Sequence, residues 1–285
     1  MTIDNKEFSG ERPLFATQDL EIHRVTIHAG ESALKHCSDI VASECVFEGK
    51  YPFWHNKRVK ITNCLFREGA RAAIWYTQDL KMEDTEVVAP KMFRDMERLE
   101  LRRVNLTNAM ETLWHCRDIK MEDVSAEHGD YFAMHSEDIE IDCLHLNGNY
   151  SFQYAKNIVI RNSQLNTKDA FWNTENVTVY DSTINGEYLG WHSRNLRLIR
   201  CHITGTQPLC YAKGLVMEEC KMGADADLGF EYSSVYADIK GAITSVKNPT
   251  TGYIHADSIG EVILDENIES PADCEIKANV NIAQS

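Results

Sequence analysis

Five tryptophans, five histidines and a set of carboxylates and lysines recur in this 285-residue chain at a spacing that could build one chemical face. Trp54, Trp75, Trp114, Trp172 and Trp191 are the full tryptophan complement. Lys35, Arg94, Met134, Gln153, Cys210 and Phe230 fill the same place elsewhere. One residue on stands a row with no aliphatic member: His36, His55, Tyr76, Asp95, His115, His135, Tyr154, Asn173, His192, Tyr211 and Glu231. Three residues before each tryptophan position comes another polar row, with Tyr51, Lys91, Glu111, Tyr131, Tyr150, Asp169, Tyr188 and Gln207. Asp130, Lys168 and Glu187 lie beside that row.

The chemistry follows from residue type. Indole and phenol rings at regular spacing can stack on sugar rings, with Trp114, Trp172 and Trp191 as the platform. Carboxylates one repeat apart, Glu111 with Asp130 and Asp169 with Glu187, would lie about 5 Å apart, a separation suited to retaining glycoside hydrolysis. Lys91, Arg94 and Lys168 would hold acidic or hydroxyl groups, and His115, Tyr131, His135, Tyr150, Tyr188 and His192 would complete the binding face. The same residues have plainer roles. Tryptophans can stack on one another, bend carboxylates are usually solvated, and a His/Tyr row can simply order a turn. His115, His135 and Asp95 stand in a line that does not converge as zinc ligands must, so no metal and no cofactor is expected.

The element that positions these rows is a repeat. Leu20, Ile40, Val59, Leu80, Leu99, Ile119, Ile139, Ile158, Val177, Leu196, Leu215 and Val235 are spaced by 19 to 21 residues. Each of the first eleven heads is followed at +2 and +7 by apolar residues, such as Ile22 and Ile27 or Leu101 and Leu106. Charged residues such as Glu21 and Lys60 sit between, which is the alternation of a strand with one buried face. Cys45, Cys64, Cys201 and Cys220 fall at +5 and read as buried free thiols. Asp39, Asp79, Asp118, Asp138, Asn157, Asn176 and Asn195 precede their heads, where Asp and Asn favour tight turns. Six before each head another apolar series runs through Leu34, Phe53, Phe93, Phe152 and Phe171.

These patterns predict an all-β fold: a single-stranded right-handed parallel β-helix of about 12 coils, three strands per coil. One domain is expected over 1–285, with 1–19 as N-terminal cap, 20–234 as regular coils and 235–285 as irregular last coils and cap. Alternation gives the tryptophan row and the His/Tyr row opposite directions. The preferred register places the tryptophans outside, because burying Arg94 would cost several kcal/mol.

The chain resembles the pectin-lyase-like β-helices. More closely, Gly10-Glu11-Arg12-Pro13-Leu14-Phe15, Lys50-Tyr51-Pro52-Phe53-Trp54-His55 and Gly205-Thr206-Gln207-Pro208-Leu209-Cys210-Tyr211 resemble a bacterial family catalogued as domain of unknown function 3737. That resemblance implies the fold and brings no catalytic residues. The polygalacturonase pattern is missing, Asn173-Thr174-Glu175 being a poor echo of it, and no lyase-like calcium cluster is evident.

The net charge of −15 argues against nucleic acid and anionic membranes as partners. Nine cysteines without a CxxC pair, and no leader-like N-terminus, point to the cytoplasm. Two readings remain open. One is a protein that binds or processes a carbohydrate, a hydrolase or lyase if an enzyme. The other is a non-catalytic scaffold that docks a protein or a second copy of itself.

Overall fold

The computed structural model describes residues 1–266, 273–279 and 283–284. These form a parallel β-solenoid of about 14 turns with almost no helix. The chain makes two compact units, Met1–Gly148 and Asn149–Ser285.

In the first unit the strands Thr2–Asp4, Gln18–His23, Ser38–Ser43, Lys57–Thr62, Gln78–Val87, Glu97–Leu106, Arg117–Ala126 and Glu137–Asn147 pair in parallel, each with the next. The register is the one the repeat demands: Leu20 faces Ile40, Ile40 faces Val59, and so on to Ile139. All these heads are buried, as are the +2 residues from Ile22 to Ile141. No coil can bury its inner face alone, so stacking creates the core. Residues 1–19, expected as a cap, already form a rung, with Thr2 opposite Glu21 and Phe8 opposite Ile27.

The second unit repeats the scheme through Lys156–Arg161, Glu175–Tyr180, Arg194–Ile199, Leu215–Met222, Ser234–Lys247, Thr251–Ile263 and Asp273–Ala278. Its later strands are longer, 14 residues in Ser234–Lys247 and 13 in Thr251–Ile263. Part of the expected C-terminal cap, at 267–272, 280–282 and 285, lies outside the described residues.

The expectation of three strands per coil needs correction. Among the described residues the third side is a strand only at Ile74–Trp75 and Phe93–Arg94. Elsewhere it is a turn built on left-handed residues: Leu113 (φ 62°) and His115 (55°) in one unit, Phe152 (62°) and Tyr154 (58°) in the other. Left-handed backbone costs an ordinary residue roughly 1–2 kcal/mol. Hydrogen bonds between rungs offset it, such as His115 N–H to Met134 O (3.1 Å) and Phe171 N–H to Ser151 O (3.1 Å).

The Asp/Asn corners are left-handed too, from Asp39 (φ 58°) to Asn195 (54°). They ladder from rung to rung. Arg58 forks onto Asp39 (2.6 and 2.7 Å), and Asn195 Nδ2 donates to Asn176 Oδ1 (2.9 Å). The guanidinium of Arg58 holds the Asp39 carboxyl below its usual range.

A further inward row lies three before the head and was not anticipated. Cys37, Asn56, Thr77, Cys116 and Ser136 are all buried there. Ser136 donates its hydroxyl to Leu113 O (2.6 Å) and accepts from the N–H of Cys116 (2.9 Å). Small polar side chains thus satisfy backbone groups that the turn leaves without a sheet partner. All nine cysteines are free thiols; Cys45, Cys64, Cys201 and Cys220 are buried as expected, whereas Cys143 is exposed.

Candidate functional site

The left-handed turn decides where the two aromatic rows point. Neither register expected from alternation holds. Trp54, Trp75 and Trp114 are half-buried, and the following His55, Tyr76 and His115 are exposed. Both rows are therefore outside, while the residues before and after them point in. An extended segment cannot do this; a residue with φ of +55° to +58° directly after the tryptophan, as at His55, Tyr76 and His115, can.

In the first unit the tryptophan row is a stack along successive rungs. Lys35 Nζ lies 5.6 Å from the Trp54 ring, and Trp54 stacks on Trp75 at 5.2 Å and 9°. The guanidinium of Arg94 is held between Trp75 (4.4 Å) and Trp114 (4.5 Å). Each indole N–H donates to a backbone carbonyl one rung on: Trp54 to Ala72 (2.7 Å), Trp75 to Lys91 (2.9 Å) and Trp114 to Tyr131 (2.8 Å). Trp54 and Trp75 are covered by neighbours in the stack and Trp114 carries Arg94 on one face, so the indoles serve chiefly as a cation–π ladder.

Glu111 belongs to that ladder. Its Oε2 meets Lys91 Nζ at 2.9 Å and Arg94 Nη2 at 3.4 Å. Its link to Asp130 is through backbone, Glu111 N–H to Asp130 O at 2.9 Å. The Glu111 carboxylate thus turns to the cations of the preceding rung.

The exposed row beside the ladder forms a shallow groove of about 490 Å³ in the first unit. Tyr76, Asp95, His115, His135, Arg117 and Glu137 line it, with Gln78 and Glu97 on the strand side. His115 and His135 meet edge to face at 5.1 Å, and Arg117 donates to Glu137 at 2.6 Å. Glu97, Arg117 and Glu137 were missed in the sequence. They share one repeat position, two before the head, and tabulating it would have found them.

Burial, and then the charge of His115, lower the proton affinity of His135. His28 is the opposite case. Its ring is bonded by Glu7 (3.0 Å) and Glu48 (3.1 Å), in that order of effect, and these carboxylates raise its pKa. A raised folded-state pKa contributes stability that is full below the ordinary value of about 6.5 and is lost as pH rises through the folded value. A lowered one contributes stability above the ordinary value that is lost as pH falls. NMR titration of the ring protons is expected to give His28 a midpoint above about 6.5 and His135 one below it. The reverse order would refute both assignments.

In the second unit Trp172 stacks on Trp191 (5.5 Å, 26°) and Tyr188 meets Trp191 edge to face at 5.4 Å. His192 packs on Tyr211 at 4.9 Å. Lys168 pairs with Glu187 (3.2 Å) and lies 5.1 Å from the Tyr188 ring. Tyr150 joins through its backbone, its N–H donating to Lys168 O at 2.7 Å. Asp169 is buried (7 % exposed), and its N–H donates to Glu187 O at 2.8 Å. Burial raises its pKa, with Lys168 opposing and Glu187 reinforcing. The expected rows slip by one in the next rung. Phe230 is the inward residue, Glu231 takes the tryptophan position and Tyr232 the His/Tyr position, since Tyr211 N–H bonds Glu231 O (2.7 Å) and Tyr211 packs on Tyr232 at 5.6 Å.

Among the described residues no group of three or more His, Cys, Asp or Glu is arranged to hold a metal ion. Nor is any helix there long and apolar enough to cross a membrane.

In-register parallel rungs, buried at every head and ringed by left-handed corners, define a parallel β-helix. The chain belongs to the family described as protein of unknown function DUF3737, whose model matches residues 1–277. No curated protein sequence matches it. Among solved structures it is similar to PfbA, a surface adhesin of Streptococcus pneumoniae (10 % identity, covering 100 % of this chain and 86 % of that one, TM-score 0.44). It is also similar to the A-module of the mannuronan C-5 epimerase AlgE4 of Azotobacter vinelandii (9 % identity, 100 % and 88 % covered, TM-score 0.33).

Proposed function

We propose that the protein is a carbohydrate-binding solenoid and that the groove along His115 and His135 takes the sugar. The observation that carries this reading is the groove itself. It is open, about 490 Å³, with the exposed ring of Tyr76 at one end and imidazole, guanidinium and carboxylate groups along it. Sugar sites combine one aromatic surface with several hydrogen-bonding groups. Three carboxylates (Asp95, Glu97, Glu137) outnumber one guanidinium (Arg117), so the groove disfavours uronate polymers and favours neutral glycans. Binding is favoured over cleavage because Glu111 is engaged by two cations and Glu187 by one. The free thiols support placing the protein in the cytoplasm.

The test is a thermal-shift and calorimetric titration with cellohexaose, xylohexaose and maltohexaose. A sugar at a hundred times its Kd stabilises the native state by about 2.7 kcal/mol. That shift is expected for at least one sugar and is expected to fall sharply in the double variant Tyr76→Ala/His135→Ala. A flat response to all three, with the same face capturing a second copy of the chain, would favour the scaffold reading instead.

A further inference from the structure

A second group of chemically active side chains lies in the last strands of the second unit, away from the rows the repeat singles out. The register places Tyr236, Tyr253 and Glu275 side by side on Ser234–Lys247, Thr251–Ile263 and Asp273–Ala278. Two residues further along the same strands come Asp238, His255 and Lys277, again side by side. Side chains two apart on a strand share a face, so these six make a grid with rungs about 4.8 Å apart.

The grid is wired together. Tyr253 donates its hydroxyl to Asp238 Oδ2 (3.2 Å), Asp238 approaches His255 Nδ1 (3.6 Å), and His255 Nε2 meets Glu275 Oε1 (3.0 Å). Lys277 Nζ closes the chain on Glu275 at 2.7 Å. Beside it the ladder is bulged. The register shifts between Ile239 and Ala242, and Gly241 adopts φ 94° with its N–H on Asp257 Oδ2 (2.7 Å). Bulges re-aim side chains and are over-represented next to active sites. Here the bulge borders a groove of about 290 Å³ lined by Asp238, Lys240, His255, Asp257, Lys277 and other residues.

The rings differ from those of the tryptophan ladder in the property that matters for a ligand. Tyr236 and Tyr253 meet edge to face at 74° and do not stack in parallel. Tyr253 rests on His255 (4.5 Å, 28°), while Tyr236 is 49 % exposed. A half-exposed ring next to a line of carboxylate, imidazole and ammonium groups suits a ligand with one apolar face and a rim of hydroxyls. Four carboxylates (Glu219, Asp238, Asp257, Glu275) stand against two ammonium groups (Lys240, Lys277) on and around the grid, which disfavours anions.

We infer that this grid is a second sugar-binding site, which takes a neutral saccharide stacked on Tyr236 and hydrogen-bonded by Asp238, His255 and Glu275. The inference does not rest on the His115/His135 groove, and either site can exist without the other.

Titration of the full-length chain with cellohexaose, xylohexaose and maltohexaose, followed by NMR of the tyrosine and histidine rings and by calorimetry, tests it. At least one sugar is expected to shift the Tyr236 and His255 signals. Tyr236→Ala is expected to weaken that binding component at least tenfold, and the conservative Glu275→Gln several-fold, with thermal midpoints near that of the parent. The component should survive in Tyr76→Ala/His135→Ala. Binding unchanged by Tyr236→Ala and lost in the groove variant overturns the second site and leaves the first. No binding of any of the three sugars overturns both.

Discussion

Replacing Phe66 by alanine is expected to lower stability by about 3–5 kcal/mol, the range for truncating a fully buried phenylalanine. Phe66 is wholly buried, stacked on Phe47 of the preceding rung at 4.7 Å and near Phe53 at 6.2 Å. Phe47 also meets Phe53 edge to face at 5.0 Å. The three rings fill the inside of two consecutive rungs. Their neighbours are tied to backbone that must stay in register, so they cannot collapse into the cavity. In a solenoid each rung depends on its neighbours, and the loss is felt first locally. Urea unfolding followed by tryptophan fluorescence would measure it, since Trp54 and Trp75 stand on the same rungs. A loss below about 1 kcal/mol would mean that the stacked phenylalanines do not carry the core as described.

The second large effect concerns Arg94. Its guanidinium lies between two indoles, pairs with Glu111, and is only 22 % exposed. Partly desolvated cation–π contacts contribute about 1–2 kcal/mol each, so Arg94→Met should cost about 2–3 kcal/mol. Arg94→Lys should recover less than half of that, because a compact ammonium cannot lie flat between two rings. Denaturant unfolding gives the numbers, and sugar titration of the same variants gives the second readout. A structural ladder predicts lost stability with glycan binding retained. Stability within about 0.5 kcal/mol of the parent together with lost binding would make the tryptophan row the ligand face.

These two sites show how far the sequence could be read. Phe66 and its partners were legible as core because the +7 and −6 rows are apolar in rung after rung. The same period gave the register, from Leu20 to Ile139, which the strands reproduce residue for residue. Arg94 was legible as an outward residue, but its sandwich was not. Tryptophans at one repeat position read equally well as a sugar platform or as a mutual stack. Only the geometry, with rings 9° from parallel between Trp54 and Trp75, shows the faces covered.

The orientation of the two aromatic rows was beyond the sequence for a definite reason. Alternation assumes extended backbone, and the third side of the coil is not extended. Left-handed φ values at His55, Tyr76 and His115 put tryptophan and histidine on the same outer surface. Glycine marks such conformations in a sequence; histidine, tyrosine and leucine do not. The rung-to-rung hydrogen bonds that hold them left-handed are invisible until the rungs are stacked.

The slip at Phe230 and the grid around His255 have related causes. In the first, one extra residue in a turn moves Phe230 inward and Glu231 out. In the second, the long strands of the last rungs dissolve the repeat on which position-by-position reading depends. The sequence alone therefore determined that the chain is a parallel β-helix, which apolar rows face its core and which strands pair, because apolar burial repeated every 19 to 21 residues leaves one solution. Only the tertiary structure decided which polar side chains share a groove, because that depends on left-handed corners and bulges stabilised by contacts between rungs rather than by the residues that adopt them.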